Sequence, residues 1–164
     1  MKNTIININD AIFEKHCHGK SYYADIAYLS KSIGMSKLGC NITIVPPGKK
    51  AWPFHSHHVN EELFYILSGN GSIRIGSEIF TLKSGDIISA PTGGEECAHQ
   101  IINTSAEDLK YLAISTMTAP DVMEYPDSEK FGVFVGSPPM GDESKRNFSY
   151  FGYQKNQVDY WENE

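Results

Sequence analysis

The sequence lacks any continuous apolar run that approaches the ~18 residues needed to span a membrane. Its N-terminus also lacks the apolar stretch and the small-residue cleavage site of a secretion signal. Cysteine is scarce, because Cys17, Cys40 and Cys97 are the only three, and an odd, widely spaced set is a poor disulfide framework. These absences predict a cytoplasmic protein with reduced thiols that does not associate with a membrane.

Positive charge is also in short supply. The 14 basic residues face 20 acidic ones, which gives a formal net charge of -6 at pH 7. No run of Lys or Arg forms the basic patch that nucleic-acid binding normally requires. The length of 164 residues suits a single domain over 1–164. We therefore expect a small-molecule partner, and neither nucleic acid nor a membrane.

Short apolar segments separated by turn residues are what the chain has in abundance. Nine of them are typical of β-strands, at 40–45, 62–67, 72–75, 78–82, 87–90, 98–102, 110–116, 131–135 and 148–153. This spacing predicts an all-β sandwich or barrel, with a core over about 38–117 and a C-terminal wrap over about 118–164. The first 35 residues or so are mixed, and we expect a short helix there from about Ala11, capped by Asn9 or Asp10.

The densest polar chemistry lies in the segment 54–62. His55 and His57 are two residues apart, so on an extended strand their imidazoles share a face. A turn over the next residues would bring Glu62 back beside them, and strand pairing could place His99 opposite. Three nitrogen ligands and one oxygen ligand suit a divalent transition metal, namely Mn, Fe, Ni, Co or Zn, and leave positions open for water or substrate.

Other polar residues near this segment have alternative interpretations. Glu61 competes with Glu62 as the oxygen ligand, although it would point to the opposite face of a strand. His58 is expected to face solvent or to orient a ligand. Glu95 is a candidate catalytic base, or else a solvated loop residue. A second metal site at His16-Cys17-His18 is not expected, because no partner cluster accompanies it.

These residues resemble the motifs of the cupin family. The first motif is matched by Gly48, His55, His57, Glu62 and Gly69, with one extra residue before His55; the second is matched by Gly85, Pro91, Gly93, His99 and Asn103, with three extra residues before His99. The resemblance implies a double-stranded β-helix, the cupin jelly-roll barrel, with short N-terminal and C-terminal extensions and a metal inside it. The tail, at 125–128 and 159–161, resembles a subgroup of small bacterial cupins with provisional names such as sugar-phosphate isomerase.

Three functions remain open at this point. The first is a metalloenzyme that isomerises, oxygenates or decarboxylates a small oxygen-rich molecule such as a sugar phosphate. The second is a binding module without turnover, and the third is a purely structural metal. We also expect a homodimer, because barrels of this kind have exposed edges that need cover and the tail is rich in aromatic residues.

Overall fold

The computed structural model describes residues 4–164. Thirteen strands account for most of the regular structure: β1 (Glu14–His18), β2 (Tyr22–Tyr28), β3 (Leu38–Val45), β4 (Ser56–His57), β5 (Glu62–Ser68), β6 (Asn70–Ile75), β7 (Glu78–Lys83), β8 (Ile87–Ala90), β9 (His99–Ile102), β10 (Leu109–Thr116), β11 (Asp121–Tyr125), β12 (Lys130–Val135) and β13 (Phe148–Tyr153). One α-helix, α1 (Leu29–Ile33), follows β2, and 3₁₀ helices lie at Ile8–Asp10, Glu95–Cys97, Pro126–Ser128, Glu143–Lys145 and Gln154–Asn156.

The strands form three antiparallel sheets. The largest has the order β1-β2-β3-β10-β5-β8, the second β7-β6-β9, and the third β13-β12-β11-β4. Neighbours in the large sheet are mostly distant in sequence, so the chain crosses repeatedly between sheets, as a rolled barrel requires. Three strands of the third sheet are C-terminal. The pairing of β11 with β4 connects them to the segment between β3 and β5.

Side-chain alternation decides which residues fill the barrel. On β5, Phe64 and Ile66 are buried, whereas the residues that alternate with them, Leu63 and Tyr65, are each 38% exposed. The inward residues of the large sheet and of β6 to β9 form one continuous core. A smaller cluster of Ala27, Leu29 and Ile42 lies apart from it and is covered by residues of the N-terminal segment.

Gly69 is where the chain leaves the large sheet for the second one. Its φ of +83° lies in the left-handed region, which glycine adopts without the steric penalty of a Cβ. A Cβ at this position would also collide with the carbonyl oxygen of Asp108. The chain therefore forms a corner between two sheets at Gly69, because β5 and β6 do not pair with each other.

The all-β prediction is confirmed, and each of the nine predicted strands coincides with an observed one to within two residues at either end. The predicted helix from about Ala11 is wrong: a 3₁₀ helix lies at Ile8–Asp10 instead, and the side chain of Asn7 caps it. Four strands, β1, β2, β4 and β11, and the helix α1 are not among the predicted elements. No helix within residues 4–164 combines the length and the apolar character needed to cross a membrane.

Candidate metal centre

The segment before β5 brings two histidines to the interior. His55 pairs with His99 through backbone hydrogen bonds in both directions, and His57 belongs to β4, which pairs with β11. Because the backbone is extended here, the two side chains point the same way, and their rings lie 5.2 Å apart. Each of these two histidines is 8% exposed.

Glu62 and His99 reach the same place from other strands. Glu62 is two residues before Phe64 on β5 and so shares its inward face. The three extra residues before His99 are taken up by the 3₁₀ helix Glu95–Cys97, after which β9 begins at His99 itself. The insertion therefore does not disturb the alignment of His99 with His55.

The four side chains converge on one carboxylate oxygen. Glu62 Oε2 lies 2.9 Å from His99 Nε2, 3.6 Å from His57 Nε2 and 3.8 Å from His55 Nε2. His55, Glu62 and His99 form the tightest group, with one ligand atom of each within 4.8 Å of the others. His57 lies slightly outside that group. Among residues 4–164 no second cluster of this kind occurs.

Hydrogen bonds on the far side of the rings decide which nitrogen is free. His55 Nδ1 lies 2.8 Å from the carbonyl oxygen of Pro53, which only accepts, so Nδ1–H donates and the Nε2 lone pair faces Glu62. His57 Nδ1 donates to Asp121 Oδ2 over 2.7 Å, with the same result. His99 Nε2 donates to Glu62 when no cation is present.

Burial and neighbouring charge set the protonation of the cluster. Burial, reinforced by His99, lowers the pKa of His55 to about 4, so this imidazole is neutral at pH 7. Burial raises the pKa of the Glu62 carboxyl, but the hydrogen bond from His99 and the nearby histidines outweigh it and hold that pKa at about 2. Burial likewise opposes protonation of His57, yet Asp121 and Glu62 raise its pKa. An ionised carboxylate thus faces at least one imidazole lone pair.

These residues fit a divalent transition metal. Three imidazole nitrogens and one carboxylate oxygen are the donors that such ions prefer. Asp121 supplies a second, fully buried carboxylate, and its Oδ1 has no hydrogen-bond partner. A dication would balance both carboxylates, since neither a lysine nor an arginine is among the described residues that line the surrounding cavity.

The cavity beside this cluster has a volume of about 260 Å³. Apart from the cluster, its wall is mostly apolar and includes Phe64, Tyr111, Met123, Tyr125, Phe134 and Phe151. The Tyr125 ring stacks on His55 with 6.2 Å between centroids and a 26° angle between planes. Burial, followed by the charge of Asp121, raises the pKa of Tyr125 to about 12, so its hydroxyl keeps its proton.

The structure separates the other candidates from the centre. Glu95 is exposed on the 3₁₀ helix Glu95–Cys97 and does not line the cavity, so the sequence-based candidate base is not placed near the cluster. Glu61 is exposed, as the alternation along β5 requires. His58 points away from His57 and hydrogen-bonds Glu124 over 2.7 Å.

Sequence reasoning missed Asp121 and Tyr125. Asp121 lies 64 residues after His57, and it reaches His57 only because β11 pairs with β4. No local pattern marks Asp121, and Tyr125 is marked only as part of the tail segment 125–128. The one available signal is the polar and aromatic character of the tail, which predicts a C-terminal wrap over the barrel.

Comparisons with known proteins agree with this architecture. Residues 41–115 match the family model described as the cupin domain. An uncharacterized protein of Methanocaldococcus jannaschii is 39% identical over 72 residues, which are 44% of this chain and 54% of that protein. An oxalate-binding protein of Thermotoga maritima is 33% identical over 70 residues, which are 43% of this chain and 54% of that protein. The chain thus spans about half the length of the curated relatives it matches.

A solved structure extends the likeness to the whole fold. The protein from Acidithiobacillus ferrooxidans, which carries a provisional sugar phosphate isomerase name, superposes with a TM-score of 0.77 at 20% identity. The alignment covers 95% of this chain and 96% of that one. The double-stranded β-helix expected from the motifs is therefore confirmed, and the C-terminal strands belong to the shared fold.

Proposed function

Because residues 41–115 match the cupin domain model, we propose that the chain is a cupin and a metal-dependent enzyme acting on a small oxygen-bearing molecule. In this proposal His55, His57, Glu62 and His99 hold a divalent transition metal ion, Mn, Fe, Ni, Co or Zn. The observation that supports it most directly is the convergence of three imidazole nitrogens on Glu62 Oε2 beside a cavity of about 260 Å³.

Such an ion would act as a Lewis acid toward a carbonyl or hydroxyl oxygen of the substrate. The protein's own residues prepare the site for that role. Pro53 and Asp121 fix the rings of His55 and His57 with their Nε2 atoms turned inward. Glu62 stays ionised, because its pKa is held at about 2. The three histidines are themselves buried, and this low-polarity surrounding strengthens the polar contacts among them.

Tyr125 is the residue placed to hydrogen-bond a ligand beside the cluster. Its hydroxyl contacts the sulfur of Met123 at 3.6 Å, and a thioether is a weak acceptor. A substrate oxygen would therefore be a better partner for this O–H. Because the pKa of Tyr125 is about 12, the residue would donate a hydrogen bond without losing its proton at neutral pH.

A binding module without turnover is the second candidate. The sequence-based base, Glu95, is exposed and lies outside the cavity wall. The carboxylates that do line the cavity, Glu62 and Asp121, are both engaged with imidazoles. This shortage of free proton acceptors favours binding over catalysis, and the name of the T. maritima relative is that of a binding protein.

Metal analysis of the purified protein tests the centre. Wild type, loaded with each ion in turn and desalted, is expected to retain about one equivalent of at least one of them, whereas Glu62→Ala and His99→Ala lose most of it. The matched controls are Glu61→Ala and His58→Ala, which remove the same groups at exposed neighbouring positions. The proposal fails if wild type retains no metal, or if the controls lose as much as the cluster variants.

The oligomeric state and the location are also proposals. Strand β13 is the edge of the third sheet, and Phe148, Tyr150, Phe151 and Tyr153 on it are each between 43% and 54% exposed. Exposed aromatic residues on a free edge are suited to pairing with a second copy of the chain. We therefore propose a homodimer through β13, in the cytoplasm.

A further inference from the structure

From the wall of the cavity we infer that its ligand is an uncharged small molecule with an apolar, ring-sized end, and not a phosphate ester. This inference names the substrate class and rests on the proposed function for the oxygen-bearing end of the ligand. It differs from what the sugar phosphate name of the A. ferrooxidans protein would suggest. Three features of the described residues carry it: the charge of the wall, the state of the arginines and a row of aromatic rings.

The charge of the wall is unsuited to a phosphate. A buried phosphate normally needs charge-assisted hydrogen bonds from Arg or Lys. Among the described residues, no lysine and no arginine lines this cavity, whereas the carboxylates of Glu62 and Asp121 both line it. A bound dication would be matched by these two carboxylates, so it would leave no surplus positive charge for a dianionic ester.

The two arginines of the chain are already committed elsewhere. Arg74 forms an ion pair with Asp127 over 2.8 Å, and its guanidinium stacks on Phe54 at 3.7 Å. Arg146 donates to the carbonyl oxygens of Ser137 and Pro138. Neither lines the cavity. Recruiting either one for a phosphate would break these bonds and leave their acceptors without partners.

A row of aromatic rings offers an apolar surface instead. It starts at Tyr125, which stacks on His55, and continues through Phe151, 6.0 Å from Tyr125, to Phe134, 5.5 Å from Phe151. All three rings line the cavity. Phe151 and the further lining residue Met140 are 54% and 44% exposed in the single chain, so a ligand's apolar end would cover surface that faces water there.

The size of the cavity suits a small ligand. A volume of about 260 Å³ lies below the usual range of roughly 300–1,000 Å³ for drug-sized ligands. One ring with a short oxygenated arm is a ligand of a size that this cavity accommodates. In such a pose the arm meets the histidine cluster and the ring lies against Tyr125 and Phe151.

Three hydroxyketones with the same reactive end test this inference. They are 2-hydroxyacetophenone, dihydroxyacetone and dihydroxyacetone phosphate, which differ in having a phenyl, a hydroxymethyl or a phosphorylated tail. Binding is measured by calorimetry on the zinc-loaded protein and on the metal-free protein. We expect the phenyl compound to bind about tenfold or more tightly than dihydroxyacetone, and the phosphate to bind most weakly. Equal or tighter binding of the phosphate ester overturns the inference.

Two variants of strand β13 locate the effect. Phe151→Ala is expected to reduce the preference for the phenyl tail by about fivefold to tenfold. Tyr150→Ala is the matched control, because Tyr150 is an equally exposed ring on the same strand that does not line the cavity. If the loss of preference came from a disturbed homodimer, it would appear in both variants. A preference that survives Phe151→Ala, or that both variants lose equally, contradicts the assignment.

Comparing the zinc-loaded protein with the metal-free protein separates a failure of this inference from a failure of the proposed function. If metal makes no difference to the binding of any hydroxyketone, the metal-dependent function is wrong. The order of the binding affinities of the three hydroxyketones can still be measured in the metal-free protein, because the wall residues that determine this order do not depend on an ion.

Discussion

Replacement of Asp121 by asparagine is the sharpest perturbation of the candidate centre. Asp121 is fully buried, and its Oδ2 accepts the Nδ1–H of His57 at 2.7 Å. The asparagine amide keeps the volume but removes the charge. We expect Asp121→Asn to weaken metal binding, because His57 is then held less firmly in the tautomer that turns Nε2 toward Glu62.

The magnitude follows from the type of hydrogen bond. A bond to a charged group contributes about 1.5–3 kcal/mol and a neutral one about 0.5–1.5 kcal/mol. The exchange therefore costs about 1–1.5 kcal/mol, or roughly tenfold in affinity. The lost negative charge facing the ion adds to this, so we expect zinc to bind about 10-fold to 100-fold more weakly.

A chelator competition titration on the folded protein measures this affinity directly. The control is Glu124→Gln, since Glu124 forms an equally short bond of 2.7 Å with His58 on the outside of the same strand. The control is expected to match wild type. Wild-type affinity in Asp121→Asn, or an equal loss in Glu124→Gln, would refute the reasoning.

Three further predictions concern stability and assembly. As pH falls from about 6.5 to about 4, the buried, neutral His55 resists the proton that the unfolded chain accepts, so the free energy of unfolding of the metal-free protein should fall by up to about 3 kcal/mol in urea titrations. The raised pKa of His57 adds stability that is complete below about pH 6.5 and is lost at higher pH, so we expect a maximum near pH 6.5 and not a flat profile. Gly69→Ala should lower the free energy of unfolding by about 3 kcal/mol, against about 1 kcal/mol for Gly19→Ala, whose Cβ meets open space; equal effects in thermal melts would contradict the corner assigned to Gly69. Light scattering should give twice the chain mass for wild type and a smaller mass for Phe148→Asp, whereas a monomeric wild type would remove the homodimer.

The sequence was informative wherever a short-range rule applied. Alternation along a strand predicts that His55 and His57 share a face, and that Glu62 and not Glu61 points inward. His99 could also be predicted, because it occupies the histidine position of the second motif. The structure then explains how three extra residues are accommodated, since the 3₁₀ helix Glu95–Cys97 closes with a hydrogen bond from the Ala98 N–H to the Glu95 carbonyl.

The remaining features depend on pairings between distant segments. Asp121 acquires its role only when β11 pairs with β4, and no local pattern states which strands pair. The same is true of Tyr125, which is read as a tail residue until it stacks on His55. At the N-terminus, β1 is exposed along nearly its whole length, and β2 buries the adjacent residues Ile26 and Ala27, so neither strand shows a clean alternation. Charge in the cavity was also invisible, since it depends on which side chains the wall excludes.

The pairing of β11 with β4 brings the C-terminal strands against the segment that carries the candidate ligands, and this has a consequence for how such proteins diversify. The candidate ligands all lie inside the segment that matches the cupin domain, whereas Asp121, Tyr125, Phe134 and Phe151 lie beyond its end at residue 115. Exchanging the C-terminal strands could therefore change what is bound while the ion-binding residues stay the same. Two chains with identical histidine motifs would then share an ion but not a substrate, and the sequence after the motif would be the place to look for the difference.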